Sequence, residues 1–356
     1  KDTSPLLSVT DFADAGSDIA SQTITRASGA TCASLSGSTA VTVVSGRDSA
    51  TLADGCYRYT MTATDNVGVV ARTLTINGAP VPLDANGRVT GAVLHTPQGA
   101  LHVQARRGVV LACGGFEGNH EMQTRYIGPR AVYLRPVARG GYYNKGEGIT
   151  MALAIGAAPC GDFGSWHASP MDPRSDRAGP SIYIYPQGIL VNQHGQRFVD
   201  EGPGPTDETY EGVTREINAQ PGGIAYAILD TTLAKVKHPE SVVRSEVPPY
   251  QSDTLAGLAA QLKIDADALE ATVAAYNRAC GKGIYDEANM DGLCTRGVSP
   301  RKSNWARPIE HPPYIAFPII SSVVLTFGGL RVTPRAQVVN QQGDVIPGLY
   351  AAGETL

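Results

Sequence analysis

The segment that most constrains the fold is residues 109–119, VVLACGGFEGN. Four apolar residues lead into Cys113, and two glycines follow at once. A short apolar run closed by Gly-Gly predicts a buried parallel strand that ends in a sharp turn. Glycine allows a positive φ and a close approach by another molecule. Because ligands of open α/β sheets bind just past the carboxyl ends of strands, the turn predicts a cofactor site; a tight turn without a ligand is the alternative.

Length and composition narrow the class of protein. The chain has 356 residues, enough for two or three domains, and its 42% hydrophobic and 17% charged residues exclude general disorder. A net charge of -4 predicts no nucleic-acid surface, and no apolar run is long enough for a membrane span. The start has neither a signal-peptide pattern nor a methionine, and the end stops within a motif, so we expect a fragment or a processed chain.

The cysteines indicate a disulfide but no metal. The six stand at positions 32, 56, 113, 160, 280 and 294, without a CxxC pair or a Cys/His cluster, which predicts no zinc or other metal site. Cys32 and Cys56 lie in a β-rich segment and are the predicted disulfide partners. That bridge would indicate a periplasmic or extracellular location; two buried free thiols are the alternative.

Residues 1–78 predict a small all-β domain. Three stretches alternate or are rich in β-branched residues, and turn residues separate them: TAVTVVSG (39–46), CYRYTMTATD (56–65) and VVARTLTING (69–78). The phrase ADGCYRYTMTATDNVGVVARTLTIN resembles the last strands of bacterial immunoglobulin-like repeats, which occur on secreted and surface proteins. This resemblance implies an immunoglobulin-like sandwich.

Local patterns predict elements further along the chain. Residues 252–280 predict two helices, with Asp253 and Asp265 as N-caps. The sequence GILVNQHGQRFVDE predicts two strands around a QHG turn. Arg197 and Glu201 are four residues apart on the second of these strands and predict a structural ion pair.

A second resemblance covers about residues 85–356. The phrase VTGAV…VQARRGVVLACGGFEGN is similar to the flavoprotein subunits of fumarate reductases, succinate dehydrogenases and ketosteroid dehydrogenases, in which a strand pair leads to a VVLATGGF motif. Cys113 stands where threonine or alanine is usual. The phrases NKGEG (144–148) and LYAAGE (349–354) continue the match.

The resemblance implies FAD as the cofactor. The predicted cofactor-binding residues are Cys113, Gly114, Gly115, Gly146, Glu147, Gly148, Gly353 and Glu354. A glycine-rich turn that opens a helix, as GEG does, offers free N–H groups to a ligand. In the family, the glutamate that ends AAGE binds the ribityl hydroxyls, and a carboxylate suits this role because it can accept two hydrogen bonds at once.

The implied fold is α/β: a partial Rossmann-like FAD-binding domain over residues 79–130 and 321–356, and an α+β capping domain over residues 131–320. His167, in GSWHASP, matches a substrate-carboxylate histidine of the family, although a lone loop histidine is more often structural. Tyr210 aligns with the proton-donating arginine of fumarate reductases, and Arg215 lies nearby. A tyrosine acts as an acid or base only with a lowered pKa or a relay, so a packed, hydrogen-bonded Tyr210 is the alternative. We predict His167, Tyr210 and Arg215 as catalytic residues.

Two further residues are predicted to bind substrate. Lys302 lies in KSNWA and could hold a carboxylate; a solvated loop lysine is the alternative. The backbone near Thr326 is predicted to orient the same group.

Several positions, Tyr210 among them, depart from fumarate reductases. Val324 and Leu325 replace a histidine pair, and Tyr183 and Tyr185 replace a Thr-Glu pair. These departures favour tricarballylate dehydrogenase-like flavoproteins, whose sequences look similar across YPQGILVN, RFVDEG and TREI.

The inferred activity is FAD-dependent oxidoreduction of a small polycarboxylate or related acid by hydride transfer with flavin N5. The electron acceptor is not identified, and the flavoprotein part is expected in the cytoplasm. No GxGxxG fingerprint precedes residue 85, so we expect weak FAD binding or none. The alternatives are a secreted binding or adhesion module that carries an inactive flavoprotein remnant, and an artificial junction of two genes near residue 80.

Overall fold

The computed structural model describes residues 19–29, 36–41, 43–44, 47–48, 56–65, 69–74, 83–84 and 86–356. Cys32, and with it the predicted disulfide, lies outside the described residues. The chain divides into two compact units. Unit 1 contains the described residues up to Leu111, with Thr150–Ala158 and Arg331–Ala351; unit 2 contains Ala112–Ile149, Pro159–Leu330 and Ala352–Leu356. The three-domain division expected from the sequence stays a prediction.

The strands and helices have the following bounds. The strands are β1 (Ile19–Gly29), β2 (Ser36–Ala40), β3 (Val43–Val44), β4 (Arg47–Asp48), β5 (Cys56–Asp65), β6 (Val69–Leu74), β7 (Gly91–Thr96), β8 (Gly99–Gln104), β9 (Val109–Leu111), β10 (Arg135–Pro136), β11 (Pro159–Met171), β12 (Ile189–Val191), β13 (Ile224–Asp230), β14 (Tyr250–Ser252), β15 (Tyr314–Leu330), β16 (Gln337–Val339) and β17 (Val345–Ala351). The α-helices are α1 (His120–Tyr126), α2 (Glu147–Ala154), α3 (Thr206–Ala219), α4 (Pro239–Val242), α5 (Leu255–Leu262) and α6 (Ala266–Ala279). Five short 3-10 helices complete the described elements: Pro129–Tyr133, Arg139–Tyr143, Tyr185–Gln187, Pro221–Gly223 and Gly353–Thr355.

Unit 1 is built from antiparallel strands and one parallel pair. Strands β2, β1, β5 and β6 form an antiparallel sheet in that order, and β7 pairs with β8 as a hairpin. The predicted strand at residues 56–65 is confirmed as β5.

Strand β9 is the apolar run that precedes Cys113 and the Gly-Gly turn. It runs parallel to β17, with Val109 opposite Leu349 and Leu111 opposite Ala351, so the predicted parallel strand is confirmed. Its predicted burial is wrong at Val110, which is 62% exposed. Within the described residues β9 is the edge strand of a three-stranded sheet, and edge strands have a neighbour on one side only.

Unit 2 is organised around β15, a long apolar strand. The first half of β15 pairs with β13 and β14, and the second half pairs with β10 and β11. Most residues of β15 are buried, because neighbours flank the strand along its length. The pairing of β11 with β15 shifts register on both sides of Trp166 and His167. Such bulges re-aim side chains and are enriched next to active sites.

Helices α5 and α6 pack on the core of unit 2. The Asp265 carboxylate accepts the Ala268 N–H at 2.9 Å, which confirms this residue as the N-cap of α6. The predicted N-cap of α5, Asp253, is wrong. Thr254 has the extended backbone of a cap, and its hydroxyl accepts the Gly257 N–H at 3.0 Å, so the helix begins one residue later.

The predicted return strand RFVDE does not form. Only an isolated bridge joins Val191 to Arg197. Side-chain carboxylates take over the backbone partners that a strand would use: Glu201 accepts the Leu190 N–H at 3.0 Å, and Asp200 accepts the Gly202 N–H at 3.0 Å. The predicted ion pair is confirmed, since the Arg197 guanidinium donates to both oxygens of Glu201 at 2.9 and 2.6 Å.

Replacing Arg197 with methionine is expected to lower the free energy of unfolding by about 3–5 kcal/mol, because Glu201 would stay buried without its charged partner. The side chains are 5% and 0% exposed. Chemical denaturation of the purified chain measures the change. The control is Arg139→Met, since the Arg139–Asp176 pair is 73% and 81% exposed and should leave the midpoint unchanged. Equal midpoints for both variants would contradict the prediction.

Candidate functional site

Three segments of unit 2 meet at the turn that follows β9. The Phe116 N–H donates to the Thr326 hydroxyl at 3.3 Å, and the Thr326 N–H donates to Glu354 Oε1 at 2.6 Å. The Thr355 hydroxyl donates to the carbonyl of Gly114 at 3.1 Å. The glycine turn, the end of β15 and the last residues of the chain therefore lie in direct contact.

The two glycines of this turn are needed for different reasons. Gly114 has a φ of +76°, which disfavours any other residue. At Gly115 the constraint is space: a Cβ would lie 2.1 Å from Thr326 Oγ1 and 2.3 Å from Glu354 Oε1. Cys113 precedes them as an exposed thiol.

The second predicted turn joins the first. The Gly146 N–H donates to the carbonyl of Gly115 at 2.9 Å, and Gly146 has a φ of +77°. Its absent side chain makes room for Met122, whose sulfur would lie 2.7 Å from a Cβ. Glu147 is exposed and Gly148 is buried at the start of α2. Gly353, with a φ of +69°, opens the turn that presents Glu354. The predicted glycine turns therefore meet one another, and one glycine, Gly115, lies directly against the Glu354 carboxylate.

Sequence reasoning missed Glu117 as a functional candidate. The side chain is 3% exposed, its Oε1 accepts the Asn144 amide at 2.9 Å, and its Oε2 has no hydrogen-bond partner. Burial raises the pKa of Glu117 to about 6, and the nearby Glu354 carboxylate adds to the rise. A glutamate within GGFEGN, beside the predicted ligand turn, was the available signal.

Two of the predicted catalytic residues are in direct contact. His167 Nε2 and the Tyr210 hydroxyl are 2.6 Å apart, and either can donate, depending on the imidazole tautomer. His167 lies on β11 and Tyr210 on α3. Burial, with Tyr183 nearby, raises the pKa of Tyr210 and makes the phenol a weaker acid, so a catalytic role would depend on its contact with His167. This is the relay that a catalytic tyrosine requires, and it is also consistent with a packed, hydrogen-bonded tyrosine.

Arg215 lies one helical turn beyond Tyr210 and contacts the same strand. Its guanidinium donates to Glu211 at 2.8 Å, to the Ser165 hydroxyl at 3.1 Å and to the carbonyl of Trp166. It also lies 4.4 Å from the centre of a Trp166 ring. The contacts bind α3 to the residues that immediately precede His167. The catalytic role expected for Arg215 stays a prediction.

The sequence predicts Lys302 to be a ligand of a substrate carboxylate or a solvated loop lysine, and the structure places it in the interior of unit 2. It is 0% exposed, and its ammonium donates to the carbonyls of Pro186, at 2.7 Å, and Gly188. Burial lowers the pKa of Lys302 to about 8. A solvated lysine is therefore wrong, and an ammonium bonded to two carbonyls inside unit 2 is poorly placed to hold a substrate.

Strand pairing links the two groups of candidate residues. Thr326, which contacts Glu354, is paired with Trp166, and the preceding Leu325 is paired with His167. One pair of strands thus carries the residues predicted for the cofactor and those predicted for proton transfer. Within the described ranges, no group of three or more His, Cys, Asp and Glu residues is arranged to hold a metal ion. None of the helices in that part of the chain has the length and apolar character needed to cross a membrane.

Comparison with known proteins identifies the family. The family model described as FAD binding domain matches residues 26–356. The match begins well before residue 85 and so includes much of the segment predicted to be immunoglobulin-like; the short strands of that segment carry no motif that would have revealed this.

Three similar proteins agree with the family match. NADH:acrylate oxidoreductase of Vibrio harveyi is 30% identical over 282 residues, which cover 76% of this chain and 26% of that protein. The 3-oxosteroid 1-dehydrogenase of Mycobacterium tuberculosis (strain H37Rv) is 29% identical over 328 residues, covering 78% and 54%. The open conformation of a flavocytochrome c3 fumarate reductase superposes with a TM-score of 0.61 at 27% identity, covering 78% of this chain and 46% of that one.

The chain spans about half of the length of these relatives, or less. Its fold is a mixed helix and sheet fold similar to that of fumarate reductase. The family match indicates one cofactor, FAD. The chain therefore belongs to the FAD-binding oxidoreductase family that includes fumarate reductases and 3-oxosteroid dehydrogenases.

Proposed function

We propose that the protein is an FAD-dependent oxidoreductase that acts on a small polycarboxylate or related acid. The observation that carries the proposal concerns two successive residues of β15. One bonds the residue predicted to bind the cofactor, and the other pairs with a residue predicted to transfer the proton. Thr326 bonds the Glu354 carboxylate, and Leu325 pairs with His167, which contacts Tyr210. Hydride transfer to or from a carbon acid needs both a redox group and a proton carrier, and this one strand pair holds the candidates for both.

The residues present fit FAD. Gly115 has no room for a side chain, so the glycine lets the Glu354 carboxylate pack directly against the turn. The Glu354 carboxylate is partly exposed and can accept hydrogen bonds from ribityl hydroxyls. Gly114, Gly146 and Gly353 hold the positive φ angles that keep the surrounding turns compact. When bound, FAD supplies hydride exchange at its N5 atom.

The protein side chains divide the remaining tasks. The Tyr210 hydroxyl carries the proton, and His167 Nε2 receives or returns it across the 2.6 Å contact. Arg215 fixes the strand that carries His167. Thr326 orients Glu354 through its N–H group. Lys302 is left out of the proposal, because its ammonium is bonded to two carbonyls.

The proposal also covers the substrate and the strands before residue 78. The replacement of a histidine pair by Val324 and Leu325 supports a tricarballylate-like substrate over fumarate. An immunoglobulin-like arrangement of the antiparallel strands before residue 78 is also proposed. Family membership favours the oxidoreductase over an adhesion module with an inactive remnant.

A flavin experiment tests the function. The purified chain is titrated with FAD, and flavin fluorescence reports binding; the affinity also tests the weak binding expected from the sequence. Under anaerobic conditions, tricarballylate, succinate and 3-oxosteroids are then added in turn, and bleaching of the bound flavin reports reduction. Bleaching by a polycarboxylate supports the proposal. Bleaching only by a steroid would mean that the substrate is a steroid and not a polycarboxylate. No FAD binding at any concentration would overturn the proposal.

A further inference from the structure

The Glu117 carboxyl group is buried, although glutamate side chains usually lie on the protein surface. It is 3% exposed, one oxygen accepts the Asn144 amide at 2.9 Å, and the other oxygen is buried with no donor to it, while the Glu354 carboxylate lies within hydrogen-bonding reach of Glu117. Glutamate is rarely this buried unless it is paired. An ionised carboxylate with an unpartnered buried oxygen is disfavoured, whereas a protonated carboxyl could use that oxygen as a donor.

The neighbouring charge acts in the same direction. Glu354 is the carboxylate that faces the glycine turn, and its proximity disfavours a second negative charge on Glu117. Other titratable groups on the surrounding elements are exposed: His120 and Glu121 at the start of α1, and Lys145 and Glu147 at the turn before α2. The structure therefore provides no buried cation in this turn to balance two carboxylates.

We propose that Glu117 takes up one proton when FAD binds at Glu354, so that cofactor affinity depends on pH through this residue. The proton comes from solvent and bonds to the Glu117 carboxylate, with no other bond made or broken. The inference rests on the proposed role of Glu354 toward FAD. It assigns to Glu117 the role of a positioning residue, which keeps Glu354 as the single negative charge facing the cofactor.

The sign of the effect follows from burial. Bound FAD would cover the partly exposed Glu354 carboxylate and remove the water that screens its charge, so the pKa of Glu117 is higher in the complex than the value of about 6 in the free chain. Below the lower pKa, Glu117 is protonated in both states and affinity does not change with pH. Above the pKa of the free chain, Glu117 is ionised in the free chain but still protonated in the FAD complex. Each further pH unit then weakens FAD binding by up to about ten-fold, until the pKa of the complex is reached.

The test is an FAD titration of the full chain from about pH 5 to about pH 9, followed by flavin fluorescence. Glu117→Gln keeps the shape of the side chain and cannot ionise, so its affinity should be independent of pH in this range. At the alkaline end we expect it to exceed the wild-type affinity by about ten-fold or more. The matched control is Glu121→Gln, four residues away and exposed, which should follow the wild type.

Calorimetry in two buffers of different ionisation enthalpy gives a second measurement on the wild type alone. It should record uptake of close to one proton per FAD near neutral pH, and this holds even if Glu117→Gln fails to fold. An unchanged pH dependence in Glu117→Gln, or zero proton uptake by the wild type, would overturn the inference while the proposed function stands. Absence of FAD binding in every variant at every pH would overturn both.

Discussion

Replacing Gly115 with alanine is expected to lower FAD affinity by more than about 100-fold. The added Cβ would lie 2.1 Å from Thr326 Oγ1 and 2.3 Å from Glu354 Oε1, well inside contact distance. Either the end of β15 or the Glu354 turn must shift, and both are proposed to form the cofactor site. Overpacking of this kind also costs about 1–3 kcal/mol in the free energy of unfolding. FAD titration and chemical denaturation measure the two effects.

Gly140→Ala is the matched control for this steric argument. A Cβ at Gly140 would meet no atom within 4 Å, and the residue lies in the same unit of the chain. This variant should bind FAD as the wild type does. If Gly115→Ala bound FAD with wild-type affinity, the glycine turn would not be the cofactor site, and the proposal for Glu354 would fail with it.

Replacing Tyr210 with phenylalanine is expected to reduce kcat by about 100- to 10,000-fold while KM changes little. The substitution removes the hydroxyl that lies 2.6 Å from His167 Nε2 and leaves the ring in place. FAD affinity should be unchanged, because the hydroxyl is proposed to take part in proton transfer and not in cofactor binding. Anaerobic flavin reduction by the polycarboxylate found to be active provides the rate.

Tyr285→Phe removes a comparable hydroxyl and serves as the control. The Tyr285 hydroxyl donates to Gln187 Oε1 at 2.8 Å and belongs to neither candidate group. This variant should retain the wild-type rate. A rate for Tyr210→Phe within about two-fold of the wild type, at every pH, would mean that Tyr210 is only a packed tyrosine, since general acid–base groups contribute far more.

Local patterns predicted much of the fold. The apolar run before Cys113 identified β9 and its parallel pairing, and Asp265 identified the start of α6, because strand periodicity and N-capping depend on near neighbours in sequence. The same reasoning failed at RFVDE. There, the carboxylates of Asp200 and Glu201 capture backbone N–H groups, including one on β12, and no local pattern reports that contact.

The candidate site was only partly predictable. Family resemblance suggested Glu354 and the glycine turns, but it was silent on Glu117, whose importance comes from burial beside a second carboxylate. It also placed Lys302 among substrate ligands, whereas the fold directs its ammonium to the carbonyls of Pro186 and Gly188. Burial and the choice of hydrogen-bond partner depend on residues that are distant in sequence.

By itself the sequence determined the class of protein. The Gly-Gly turn after an apolar strand sets the backbone conformation, and the glutamate that ends AAGE supplies a carboxylate. Both properties belong to the residues themselves. Only the tertiary structure decided that these two segments, 239 positions apart by the difference between Gly115 and Glu354, meet at Thr326. It also decided that His167 meets Tyr210. The positions of Thr326 and His167 depend on the long-range pairing of β11 with β15, and pairing register is a property of the folded sheet.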